Sequence, residues 1–76
     1  MKYYRLIFKK DESGQCVFTE VLEQEMSNED FEKMNWEKPI IKHVDNEHVH
    51  FVALERTYLE AMLLGIQFFR DLDGGT

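Results

Sequence analysis

Three histidines and an aspartate, His43, Asp45, His48 and His50, fall within eight residues of one another. Imidazoles and carboxylates are the donors that hold zinc or nickel. In a hairpin whose loop has an even number of residues, Val44 pairs with Val49 and His43 with His50. All four polar side chains then share one face. An odd loop scatters them. His43, His48 and His50 are therefore the metal-ligand candidates, and a small-ligand or metal-binding protein is the alternative reading of function. The competing account is ordinary polar residues at a solvated hairpin end, because no groups that would orient the imidazoles are evident. No cofactor is expected.

Cys16 is the single cysteine, so no disulfide can form within the chain. A nucleophilic thiol needs a base and a group to orient that base. The expected first hairpin sets Cys16 across from Lys9, with no histidine nearby, and Cys16 reads as a small strand residue. No C-x-x-C, Walker-type or G-x-G-x-x-G pattern occurs. No residue is assigned a catalytic role, and an enzyme is not expected.

The carboxylates are the strongest chemical signal. Between Glu20 and Glu37 there are seven acids and one base, Lys33, so this segment carries the whole net charge of −6. The other eight acids balance the other eight bases. Such a cluster attracts a basic surface over long range, or imitates the phosphates of a nucleic acid. The lack of a basic stripe argues against direct nucleic-acid binding. The expected partner is a larger, partly basic protein, with nucleic-acid-binding proteins as one class. Glu23, Glu25, Glu29, Asp30 and Glu32 form the partner-binding set. Trp36 is favoured as a core plug beneath a short helix, but it joins that set as the candidate anchor, with Phe31 beside it. A regulator or inhibitor carried by a phage or mobile element fits the size and acidity. Plain solubility and helix-start electrostatics are the competing account of the acids.

These residues must be placed by a small scaffold. A chain of 76 residues is one domain of marginal size. The expected domain covers residues 1–73, with a tail at 74–76. Lys2 to Lys10 reads as a strand with Tyr4, Leu6 and Phe8 on the core face. Asp11-Glu12-Ser13-Gly14 reads as a turn, and Gln15 to Glu23 as the return strand. A four-residue loop would pair Lys10 with Gln15, Phe8 with Val17, Ile7 with Phe18 and Arg5 with Glu20. Ser27 and Asp30 make an N-cap and N3 pair for a short helix, about Asn28 to Asn35, before Pro39. A second hairpin spans Ile40 to Leu54. A long helix follows at once, from Arg56 to Leu72. The order ββαββα gives a two-layer α+β domain, a four-stranded antiparallel sheet carrying one long helix and one short one.

The long helix is too apolar for one sheet. Its apolar arc covers roughly 260° at about 100° per residue. The flank near Tyr58, Met62, Ile66 and Phe69 is expected to pack on the sheet. Ala61, Leu64, Gly65 and Phe68 are expected to meet a second copy in a homodimer. Gly65, costly inside a helix, marks a close approach, either to another helix or to its own sheet. No apolar run reaches membrane-spanning length, and MKYYRLIFKK lacks a signal-peptide core. A cytoplasmic, membrane-free protein is expected.

Overall fold

The computed structural model describes the backbone of residues 1–74 and the side chains of residues 1–70. Gly75 and Thr76 of the expected tail lie outside the described residues. The strands are β1 (Lys2–Lys10), β2 (Cys16–Glu25), β3 (Ile40–Val44) and β4 (His48–Ala53). The helices are α1 (Asn28–Glu32) and α2 (Tyr58–Gly74), and a 3₁₀ turn at Glu55–Thr57 leads into α2. All strand pairs are antiparallel and the sheet order is β2-β1-β4-β3. The α+β architecture and the ββαββα order match the sequence reading. The helix runs to Gly74, one residue into the expected tail.

The first hairpin departs from the expected register. Its turn is held by Asp11, whose carboxylate accepts from the Ser13 and Gln15 N–H groups at 3.0 and 2.9 Å and from the Ser13 hydroxyl at 2.7 Å. Gly14 takes φ +85°, the left-handed conformation that glycine adopts without steric cost. This aspartate-centred turn takes in Gln15, so Lys10 pairs with Cys16 and Phe8 with Phe18. A bulge at Thr19 adds a further step, and Ile7 lies opposite Glu20 and Arg5 opposite Leu22. Arg5 therefore does not pair with Glu20. The shift also carries Phe18 and Cys16 to the side of α2, where the Phe8 and Phe18 rings meet edge-to-face at 5.6 Å.

Two apolar clusters lie on opposite faces of the sheet. Leu6, Phe8, Val49, Phe51 and Ala53 pack with Ala61 and Phe69 of α2. Tyr3, Val52 and Trp36 form the second cluster on the far face, with Phe31, Met34 and Ile40 around it. The far face is thus covered at one end by α1 and the segment after it. Ser27 caps α1 by accepting from the Asp30 N–H at 3.1 Å. Tight turns at Lys33 and Met34 end the helix well before Pro39.

The roll of α2 differs in part from expectation: Tyr58, Met62 and Phe69 pack on the core as expected, and Ala61 and Gly65 join them. Ala61 is fully buried, and Gly65 faces the sheet so closely that a Cβ there would overlap the Phe8 ring. Neither supplies an outer flank. Ile66, expected against the sheet, is exposed. The small side chains at 61 and 65 let the helix axis come down over Phe8, and this decides which stripe faces inward. Of the four residues assigned to a dimer interface, Ala61 and Gly65 are core, Phe68 packs half-buried against Phe51, and Leu64 remains exposed.

Candidate functional surfaces

The second hairpin has the even loop that groups the histidines. Val44 pairs with Val49 and His43 with His50, and the two rings lie 4.9 Å apart. The polar atoms nevertheless have other partners. His43 Nε2 lies 2.9 Å from Asp45 Oδ2. The other oxygen of Asp45 accepts from the Glu47 and His48 N–H groups at 2.8 and 2.7 Å, building the β3–β4 turn much as Asp11 builds the first. The His43 hydrogen bond, then these backbone donors, hold the Asp45 carboxyl well below the usual carboxylate range. Arg5 Nη1 approaches His50 Nδ1 at 3.1 Å. The guanidinium can only donate, so this imidazole nitrogen accepts and is not open to a metal. Among the described residues, no group of three or more His, Cys, Asp or Glu side chains converges on a point that could hold a metal ion. His43, His48 and His50 share a hairpin without forming a ligand set.

Arg5 is the residue sequence reasoning misplaced. It joins β2 to β4 across β1: Nε donates to Gln24 Oε1 at 2.9 Å, and the Tyr3 hydroxyl donates to the same oxygen at 3.0 Å. Nothing in the order of residues signals this network, because it depends on β1 and β4 being neighbours. Partial burial, then the positive charges of Arg5 and the nearby histidines, lower the His50 pKa, while the negative charge of Asp45 raises it by less. The unfolded chain therefore binds a proton that folded His50 resists. That contribution to stability is present above the ordinary histidine pKa and is lost as pH falls towards the lowered folded value. The His50 ring protons should titrate below those of an unperturbed histidine in an NMR pH series. His50→Gln should flatten the slope of melting temperature against pH just below neutrality; an unchanged slope would show that His50 does not carry it.

Cys16 faces α2, with Sγ 2.8 Å from the Gly65 carbonyl oxygen. Burial pushes its thiol pKa up, which is the wrong direction for a nucleophile. A shallow depression of about 520 Å³ lies at the first turn. It is lined by Lys9, Lys10, Asp11, Glu12, Val17, Thr19 and Glu47, and so contains no imidazole or thiol.

The acidic set has a different character. Glu20, Glu23 and Glu25 lie on β2, an edge strand, and Glu29, Asp30 and Glu32 on α1, which follows it. All six side chains are exposed, as is Glu37. Glu23 lies 3.4 Å from Lys2. Among the described residues, the other acids of this surface make no ion pair. The edge strand β2 and the helix α1 that follows it therefore carry a nearly uncompensated negative charge.

Comparison with protein-family models, with characterised proteins and with solved structures finds no match to this chain.

Trp36 does not belong to that surface. It is 6% exposed, its ring stacks on Phe31 at 4.8 Å, and its indole N–H donates to the Phe31 carbonyl at 2.9 Å. Tyr3 packs on it at 5.6 Å. A side chain held this way is a core plug, and its assignment as a partner's anchor is corrected. The indole N–H finds its acceptor inside the fold, as a buried tryptophan requires. Among the described residues, no helix is long and apolar enough to cross a membrane.

Proposed function

We propose that the protein is a small non-enzymatic interaction domain that presents the acidic β2–α1 surface to a larger protein with a basic face. The observation that carries this reading is the run of exposed acids on the edge strand β2 and on α1, the next element in the chain, with Lys2 the only cation paired to them among the described residues. Charges placed this way accelerate encounter with an oppositely charged partner and orient it. Proteins that grip nucleic-acid phosphates have the matching positive groove, and they are the class of partner this surface fits best. The effect on such a partner is occlusion of its groove rather than chemistry. A regulator or inhibitor would act in this way.

Affinity capture from the native cells tests the reading. Wild type and a Glu29→Lys, Asp30→Lys, Glu32→Lys triple variant are used side by side. The wild type should retain a protein with a basic face and release it as salt rises, and the triple variant should not retain it. All three positions are exposed, but Glu29 and Asp30 lie in the first turn of α1, where lysine opposes the helix dipole, so circular dichroism must first show that the variant keeps its fold. A partner held equally by both proteins would place the binding surface elsewhere.

A further inference from the structure

Much of the apolar surface that α2 leaves open lies on the flank away from the Phe68–Phe51 contact. Leu59 is 76% exposed, Leu63 60% and Ile66 40%. With Arg70 they follow a 4-3-4 spacing, the seam pattern by which one helix packs along another. Two exposed charges border the seam, Glu60 near its start and Arg70 at its end. They stand ten residues apart, about 15 Å along the axis, too far to meet within one chain. Among the described residues neither has an ion-pair partner.

We propose that this seam is the contact between two copies of the chain, with their α2 helices packed antiparallel. A two-fold axis opposite the midpoint of Leu63 and Ile66 sets Leu63 of each copy against Ile66 of the other. The same operation brings Glu60 of each copy within one residue's rise of Arg70 of the other. A strip with an acid at one end and a base at the other is its own complement under that symmetry. Parallel packing would instead set Glu60 against Glu60 and Arg70 against Arg70, so the charges select the antiparallel direction. This goes beyond the acidic-surface reading, uses none of its residues and can be tested without a partner.

Sedimentation equilibrium on the purified protein gives the test. Wild type should sediment at twice the chain mass of 9.1 kDa. Leu63→Glu should weaken association by roughly a hundredfold or more, since each copy loses a buried leucine. Its circular dichroism should stay native, because Leu63 is exposed within one copy. Glu60→Arg alone and Arg70→Glu alone should each weaken the dimer by roughly tenfold, through loss of two symmetric pairs and gain of two repulsions. The double exchange of Glu60→Arg with Arg70→Glu should restore it. A wild-type monomer, or a dimer indifferent to Leu63→Glu, would overturn the interface. A double exchange no better than the single ones would overturn the antiparallel direction.

Discussion

Replacing Gly65 by alanine is expected to destabilise the protein, against the usual preference of helices for alanine. In an open helix the change gains about 1 kcal/mol. Here the added methyl would overlap the Phe8 ring. Phe8 is fully buried, with Phe18 and Phe51 each edge-on to it at 5.6 and 6.1 Å, so the ring has nowhere to turn. The helix must lift instead, and the contacts of Ala61 and Phe69 with the sheet loosen with it. Overpacking of this kind costs about 1–3 kcal/mol, and forcing a helix off its sheet lies at the upper end. Thermal melting should fall by roughly 10–20 °C for a domain of this size. Phe8→Leu placed in the Gly65→Ala background should recover part of the loss by removing the ring edge. An alanine variant that melts at or above wild type would contradict the close approach of α2 to the sheet.

The second large effect is expected at Trp36. Trp36→Ala removes the stack on Phe31, the contact with Tyr3 and the hydrogen bond from the indole N–H. Large-to-small changes at buried aromatic positions cost about 3–5 kcal/mol. Small domains hold total stabilities of only about 5–15 kcal/mol, so much of the population would unfold on mild warming or in low denaturant. Urea titration followed by far-ultraviolet circular dichroism gives the magnitude. In wild type, Trp36 fluorescence should be blue-shifted when native and move to the red in the same transition. A partner's anchor would behave otherwise: its alanine variant would keep full stability and lose only binding. A Trp36→Ala protein with an unchanged midpoint would return the residue to the surface.

The architecture was readable because several local signals agreed. Alternation in β1, the Ser27–Asp30 cap, the spacing in α2 and the turn residues each pointed to the same order of elements. The errors arose where a long-range fact decided a local one. Asp11 binds three groups of its own turn, and this moved the hairpin register before any side-chain pairing could set it. The bulge at Thr19 has no residue signature, so Arg5 could not be matched to Gln24 and His50 in advance. Bulk marks part of the inward face of α2, since Tyr58, Met62 and Phe69 do pack on the core, but Ile66 lies outside it. The small pair Ala61 and Gly65 completes the contact stripe, and Leu59 and Leu63 stay outside.

The candidate surfaces divided along the same line. The exposed acids were plain from charge spacing, since exposure of carboxylates needs little tertiary information. The histidine grouping follows from the sequence only if the hairpin loop is even, and the structure has that loop. Its occupation by Asp45 and Arg5 does not follow from the sequence, because the order β2-β1-β4-β3 brings Arg5 to His50.

The central claim is that the β2–α1 acids bind a basic partner. Its most direct test is the affinity of wild type and of the Glu29→Lys, Asp30→Lys, Glu32→Lys variant for the captured partner, measured by titration calorimetry across a salt series. Wild-type affinity should fall steadily as salt screens the charges, and the variant should bind at least roughly tenfold more weakly at low salt. Equal affinities for the two proteins, with no dependence on salt, would contradict the claim.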